Sequence, residues 1–453
     1  MQMALAEIAT QLDGRLIGED CVISAVSINT RTLEPGDLFI AIKGQNFDGH
    51  AFVESAELAG ASAVIVEQKG AVTIPQIIVN DAHLALAKLS AVWKQKADVK
   101  TVAITGSNGK TTVKEMIAAI LSCNAEVLST KGNLNNDIGV PLTLLSLKQQ
   151  HQYAVVEMGA NHAGEIEYSS QFAKPDVAVI TNIGAAHIEG FGGLDATAKA
   201  KAEIFQSLTA EGVAVLNKDD AFYSYWLELL AGKKIVSFGL DETADIRAEE
   251  IVSKVENKTF STYFKLVSGK DNIGIELKLA GLHNVNNALA AAASCMSLGV
   301  GLQQVKQGLE TLLPVTGRLQ PLVGELGNLI VDDTYNANPS SLKVALDVLT
   351  QCEGEPWVVM GALGEMGPDS VKIHEEMGLL MKSMNVVRLL TIGSDAESTS
   401  KQFGRGATFF RSQQQLVDAL KKQLTGREVV LVKGSRGQKM ENIVSELVAD
   451  YRK

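Results

Sequence analysis

The segment TVAITGSNGKTT (Thr101–Thr112) decides how the rest of the chain reads. A continuous apolar run leads into two glycines three apart, then a lysine and two threonines. This is the pattern of a strand, a tight loop and a helix start that cradles phosphate. Gly106 and Gly109 allow positive φ and a close backbone approach to an anion. N–H groups at the helix start point at that anion, and the helix dipole adds to their pull. Lys110 would neutralise the β- and γ-phosphates and Thr111 would offer its hydroxyl to magnesium. Thr105, Ser107, Asn108 and Thr112 complete the candidate nucleotide cradle. The common form of the loop, G-x-x-x-x-G-K-[ST], has a glycine where this chain has Ile104. The segment is a shortened working loop or a glycine turn that only resembles one, and its G-K-T end is intact either way.

On both sides of the loop, apolar runs alternate with amphipathic helical stretches, which predicts an α/β fold. Before it, Asp37–Ile42, Ala63–Glu67 and Gln76–Val79 read as strands, and the polar stretch Lys94–Lys100 reads as a linker. After it come Tyr153–Gly159, Asp176–Asn182 and Gly212–Asn217, unbroken apolar runs expected of parallel strands buried on both faces. A helix near Asn284–Leu298 closes this group. From Pro314–Arg318 onward, Leu329–Asp333, Trp357–Gly361, Arg388–Gly393 and Val429–Gly434 read as strands between helices. The expected units are residues 1–98, 99–313 and 314–453.

At 453 residues the chain is too long for one core. A net charge of −11 argues against nucleic-acid binding through a broad basic face. It leaves room for an anionic small molecule held by a local cluster. Cys21, Cys123, Cys295 and Cys352 form no C-x-x-C pair, so neither a zinc site nor a disulfide framework is expected, and a cytoplasmic location fits. The N-terminus lacks the cationic segment and apolar run of a signal peptide. The most apolar tract, Ala288–Met296, is too short to span a bilayer, so membrane insertion is not expected.

Several polar residues fall where strands end. Ligands of open α/β sheets bind just beyond the carboxyl ends of the strands. Glu157 ends an apolar strand, where a carboxylate is costly unless it is paired or on a metal. His187, in TNIGAAHIEGFGG, should emerge on the same edge. With a phosphate loop beside them, a magnesium role outweighs the plainer reading of a solvent-facing glutamate and a structural histidine. Lys199 and Lys201 read by spacing as an exposed helix face, with Lys199 and Glu203 as an i,i+4 pair. Asn217-Lys218-Asp219-Asp220 fits the guanine-reading N-K-x-D element, but the short loop and the E-M-G strand end do not fit a GTPase, so it reads as a strand end and turn. Asn284 and Asn287 share a helix face and can read a nucleobase edge or serve as a cap and a buried amide. In the third group, GRLQ (Gly317–Gln320), VDDTYNANPSS (Val331–Ser341) and VKGSRGQKME (Val432–Glu441) suggest one shared cleft.

In this order TGSNGKTT, EMG, TNIGAAH, AKAKAEIF, GLHNVNNALAA, GRLQ and DDTYNANP resemble the Mur ligases of bacterial peptidoglycan synthesis, over nearly the whole chain. That family uses the shortened loop T-G-x-x-G-K-T. The resemblance implies a three-domain α/β architecture: a UDP-precursor domain, a central P-loop ATPase domain and a C-terminal Rossmann-like domain. KGNLNNDIGVPLTLL (Lys131–Leu145) and DDTYNANPSS (Asp332–Ser341) look like the member that adds D-alanyl-D-alanine to UDP-N-acetylmuramoyl-tripeptide. The sister that adds a diamino acid to the dipeptide precursor carries a D-N-P-R motif, which is absent here.

By the same resemblance, Asn29, Thr30, Arg31, Lys43 and Phe47 lie near the uridine diphosphate, and Asn133, Asn135 and Asn136 near the precursor at the domain junction. Asn284, Asn287, Arg318, Asp333 and Asn336 hold ATP. Lys110, Thr111, Glu157, His187 and a carbamylated Lys201 organise the γ-phosphate and two magnesium ions, which replaces the surface reading of Lys201. Domain closure on loading and a monomeric state are expected. The sister ligase that adds a diamino acid to the UDP-dipeptide precursor, a regulatory P-loop NTPase and a non-catalytic binder of the UDP-precursor are the alternatives. Two departures stand out: Asn29 where the family has Asp, and Ala362 where it has Asp in GALGEMG (Gly361–Gly367). Glu365 and His374 are assigned no catalytic role.

Overall fold

The computed structural model describes residues 2–44, 47–184, 191–256, 258–449 and 451. Among them, three large sheets organise the chain, beside a two-stranded one of Met3–Ala4 and Val22–Ile23. The first orders Arg15–Ile17, Gln76–Ile78, Ala63–Val66, Leu38–Ile40 and Val26–Ser27, all parallel except the Arg15–Ile17 edge. Asn29–Arg31 and the loop from Lys43 therefore leave the carboxyl ends of two neighbouring parallel strands and share one edge.

Lys94–Lys100 is not the linker its polarity suggests. Lys94–Ala97 form the last turn of helix Ala82–Ala97, Asp98 ends it with φ 48°, and Lys100 already begins the next strand. The reason is Trp93, buried on the far face of that helix, whose Nε1 donates to the Leu147 carbonyl at 2.9 Å. The helix is thereby part of a core shared with the central unit.

The central sheet has nine strands among the described residues. Lys100–Thr105 lies inside it, between Tyr153–Glu157 and Val177–Ile180, with Val127–Ser129 beyond the former and Val213–Asn217 and Lys234–Gly239 beyond the latter. All of these pairs are parallel. The chain leaves the Lys100–Thr105 strand with neighbours on both sides, the switch point where open sheets open a ligand crevice. Ile246–Glu256 joins parallel to Lys234–Gly239, and Thr259–Ser268 and Asp271–Leu277 continue the sheet antiparallel, an extension the run-based reading passed over. Buried and exposed residues alternate along these strands, so no continuous apolar run marks them. Phe260, near the turn of this hairpin, packs into the C-terminal core beside Leu319 and Leu329.

The C-terminal sheet is doubly wound. Leu329–Asp333, Glu428–Lys433, Glu355–Gly361, Arg388–Ile392 and Ala407–Phe410 are parallel neighbours in that order, and Gln320–Val323 pairs antiparallel at one edge. Separate apolar clusters cover its two faces. All four cysteines are free thiols. No helix among the described residues is long and apolar enough to cross a membrane.

Candidate active site

Backbone geometry builds the loop after strand Lys100–Thr105. Gly106 (φ +150°) and Gly109 (φ +81°) need positive φ, and neither has room for a side chain. A Cβ on the first would lie 1.9 Å from the Thr181 hydroxyl, and one on the second 2.4 Å from Asn287 Oδ1. The following strand end pins the loop: Ser107 N–H donates to the Asn182 carbonyl at 2.9 Å, and the Thr181 hydroxyl donates to the Asn108 carbonyl at 2.6 Å. Helix Lys110–Ser122 then starts with no side chain capping it, leaving its first N–H groups to an anion. Lys110 Nζ folds back onto the Gly106 carbonyl at 2.7 Å. Burial pushes its pKa down, and the Glu157 carboxylate works against that shift.

Glu157 is 3% exposed and faces the loop from the neighbouring strand. One carboxylate oxygen accepts from the Thr111 hydroxyl and the other from Asn135 Nδ2, both at 2.8 Å. Lys201, on helix Leu194–Ala202, is 2% exposed, whereas Lys199 is exposed. Burial, and then the charge of Lys110, hold the Lys201 pKa well below its ordinary value. Its amine lies 5.7 Å from the Phe191 ring centroid, and no ion pair with a carboxylate forms among the described residues. The expected Lys199–Glu203 pair does not form, because Glu203 accepts the Gly164 and Glu167 N–H groups instead. His187 lies outside the described residues.

The C-terminal lobe closes over this point. Arg318 Nη2 donates to the Thr111 hydroxyl at 2.8 Å, and its guanidinium carbon lies 4.1 Å from the Tyr335 ring centroid. Its buried Nε has no hydrogen-bond partner among the described residues. Asn108 bonds the Ser340 hydroxyl at 3.0 Å and the Asn338 amide at 2.9 Å across the same gap. Arg318→Lys keeps the charge but loses the stacked fork, so the KM for ATP should rise about tenfold, as steady-state kinetics would show.

Asp333 accepts from the buried Lys433 amine at 2.5 Å and from Leu319 N–H at 3.2 Å. Lys433 also holds the Asn336 carbonyl at 3.0 Å. Asn284 and Asn287 are buried, bonded to each other at 3.2 Å, and face the loop from the start of helix Leu282–Met296. Lys110, Thr111, Glu157, Arg318, Asp333 and Lys433 line one cleft of about 590 Å³ with Asn284 and Asn287. Asn133, Asn135 and Asn136 stand at its other wall, and Lys201 is not among its lining residues.

His283 lines the cleft as well. Burial pushes its pKa from 6.5 to about 4, against the pull of Asp333 and with the help of Lys433. An unfolded chain takes up that proton below about pH 6.5 while the folded chain does not until about pH 4. Stability should therefore fall as pH drops through this window. His283→Gln should flatten that part of the slope, measured by urea midpoints at about pH 7 and about pH 5.

Asn29, Thr30, Arg31, Lys43 and Phe47 do not line this cleft. They stay with the N-terminal sheet, where Asn29 Oδ1 accepts the Arg31 N–H at 3.0 Å, a bond an aspartate would make equally, and Phe47 is exposed. The N-K-x-D residues are engaged within the fold: Asn217 donates to the Thr181 carbonyl, Lys218 to that of Thr243, and Asp219 and Asp220 cap backbone N–H groups. His374 is fully buried and accepts the Leu363 N–H at 3.0 Å, a clamp on the GALGEMG loop. The reading from sequence placed Tyr335 and Lys433 in segments of a shared cleft without individual roles and passed over His283. Their signals are weak: an aromatic between two candidate ligands, a lysine ending an apolar strand, and a histidine preceding the asparagine pair.

A pinned phosphate loop, a buried carboxylate on the adjacent strand and an arginine from a second lobe define a P-loop enzyme that works between domains. The chain belongs to the Mur ligase family. Residues 22–105 match the model of the Mur ligase family catalytic domain, residues 104–295 the Mur ligase middle domain, and residues 317–436 the Mur ligase glutamate ligase domain. The chain is 39% identical to the UDP-N-acetylmuramoyl-tripeptide–D-alanyl-D-alanine ligase of Escherichia coli K12, covering 99% of this chain and 98% of that protein. Its fold matches a crystal structure of MurF from Acinetobacter baumannii with TM-score 0.92 and 37% identity over 99% of both chains. The MurF ligase of Thermotoga maritima in complex with ADP matches with TM-score 0.84 and 28% identity, over 93% of this chain and 96% of that one.

Proposed function

We propose that this chain is an ATP-dependent amide ligase that joins D-alanyl-D-alanine to UDP-N-acetylmuramoyl-tripeptide in the cytoplasm. The observation that carries this reading is the meeting of Lys110, Thr111, Glu157 and Arg318 at one switch point between two lobes. Residues 1–98 would hold the uridine end of the precursor, residues 99–313 the nucleotide, and residues 314–453 the second wall of the cleft.

A carboxylate resists attack by an amine. Transfer of the ATP γ-phosphoryl group to the terminal carboxylate of the tripeptide yields an acyl phosphate and ADP. The dipeptide amine then attacks the acyl carbon. The tetrahedral intermediate collapses to the amide and inorganic phosphate, and the amine proton passes to solvent or a nearby base. The first step brings anions together, so positioning and charge neutralisation dominate the catalysis asked of the protein.

Lys110 and the helix N–H groups draw negative charge toward the loop, Arg318 adds a cation from the other lobe, and Asn284 and Asn287 present amides to the nucleotide. The buried Glu157 carboxylate with the Thr111 hydroxyl suits a hard divalent cation. Burial disfavours the charged form of the Lys201 amine, which suits carbamylation, and a carbamate there would set an anion opposite Lys110. Thr111, Glu157, His187 and carbamylated Lys201 would hold magnesium, which when bound neutralises the charge developing on the transferred phosphoryl group.

Phosphate release measured against a matrix of substrates tests the function. Release should require ATP, the UDP-tripeptide and D-alanyl-D-alanine together. Equal release with a diamino acid and the UDP-dipeptide would assign the chain to the sister activity. Release with GTP alone would make it a regulatory NTPase.

A further inference from the structure

One buried cation lies outside the site just described. Lys114 sits one turn beyond Lys110 on helix Lys110–Ser122, on the side that buries Val113, Met116 and Ile117, and is itself 2% exposed. Its Nζ donates to the Thr130 carbonyl at 2.7 Å and pairs with Glu115 at 2.8 Å. An apolar side chain of similar volume would avoid the desolvation of an ammonium, which costs several kcal/mol in itself, but would leave the Thr130 carbonyl without this donor. The charge is therefore explained by what it holds.

Thr130 is the residue on which two walls of the cleft meet. Its N–H donates to the Val155 carbonyl and its hydroxyl accepts the Glu157 N–H, both at 3.0 Å. From Thr130 the chain runs directly into the loop carrying Asn133, Asn135 and Asn136. Asn135 returns to bond the Glu157 carboxylate at 2.8 Å, and its carbonyl accepts the Gly159 N–H at 2.8 Å. Glu157 is thus held from the nucleotide side by Thr111 and from the other side by a loop whose root is fastened to the nucleotide helix through Lys114.

We infer that Lys114 is a positioning residue that sets the asparagine loop for the UDP-tripeptide precursor, acting through Thr130 and Asn135 and touching no substrate. This rests on the ligase reading and adds to it a mechanical link between the phosphate helix and the precursor wall.

Lys114→Met in the full-length chain tests it. The thermal midpoint should fall only modestly, because the relieved desolvation of the ammonium offsets the donor lost to the Thr130 carbonyl. The KM for the UDP-tripeptide should rise about tenfold while the affinity for ADP, measured by calorimetry without precursor, changes by less than about twofold. In a double-mutant cycle, Lys114→Met with Asn135→Ala should raise that KM no further than the larger single change. An unchanged precursor KM, a parallel loss of ADP affinity, or additive effects would overturn the inference. If Lys114→Met does not fold, Lys114→Leu carries the test: it likewise removes the donor to the Thr130 carbonyl and should raise the precursor KM selectively, and an unchanged value would refute the link. Wild-type chain assayed alongside separates the two levels: absence of dipeptide-dependent phosphate release there overturns the ligase reading, whereas normal wild-type turnover with a normal Lys114→Met overturns only the role of Lys114.

Discussion

Lys110→Ala should lower ATP-dependent phosphate release by about three orders of magnitude, at the upper end of what one preorganised charge-stabilising group supplies. The Lys110 side chain is half-buried at the edge of the cleft, and its ammonium bonds in this structure go to the Gly106 and Ser107 carbonyls, at 2.7 and 3.5 Å. Two carbonyls do not repay the partial desolvation of a cation, which pushes its pKa down. A charge kept under that penalty is poised for the larger attraction of a triphosphate. Alanine removes that attraction without disturbing the glycines, so the fold should persist and the thermal midpoint should not drop. Single-turnover phosphate release together with a melting curve decides the matter. Turnover within about tenfold of wild type would mean that the loop holds no triphosphate in the productive state.

Lys201→Ala should be nearly inactive as well, by about two to three orders of magnitude, and should recover part of its activity when a short carboxylate such as acetate or formate is added. Carbamylation requires a neutral amine. Burial and the nearby Lys110 charge both disfavour the protonated form of Lys201, so its folded-state pKa lies below that of the unfolded chain. The sign follows from linkage: between the two pKa values the unfolded chain binds a proton that the folded chain lacks. Stability from this group therefore increases with pH through that window and is lost as pH falls toward the folded-state pKa. The alanine variant should lack this increase. It leaves a small cavity beside Phe191 that a carboxylate can enter. Wild-type activity in the variant without additive would return Lys201 to a packing role.

How far the site was legible depends on the distance over which each feature is set. The phosphate loop lies within a dozen consecutive residues, and its requirements are steric: glycine where a Cβ would strike Thr181 or Asn287, and a helix start left without a cap. Most of the parallel strands were equally legible, because burial on both faces leaves unbroken apolar runs, whereas Val26–Ser27, Val127–Ser129, Lys234–Gly239 and Ala407–Phe410, shorter or less fully buried, were not read. The long extension from Ile246 was not either, since one wet face dilutes its apolar pattern, and Lys94–Lys100 looked like a linker because only the Trp93 face of its helix is buried. Lys199 and Lys201 show the limit plainly. Spacing describes them alike, and the motif resemblance rather than the periodicity singles out Lys201.

The sequence alone therefore determined the α/β class, the phosphate loop and the family pattern, since propensity, turn chemistry and motif order act along the chain. Only the tertiary structure decided which polar groups face one another: Arg318 on Thr111 across 207 residues of chain, Asn135 on Glu157, Lys433 on Asp333, and Lys114 under the root of the asparagine loop. The energy of such pairs is set by burial and by an opposing partner, and both exist only once separate stretches of chain have packed together.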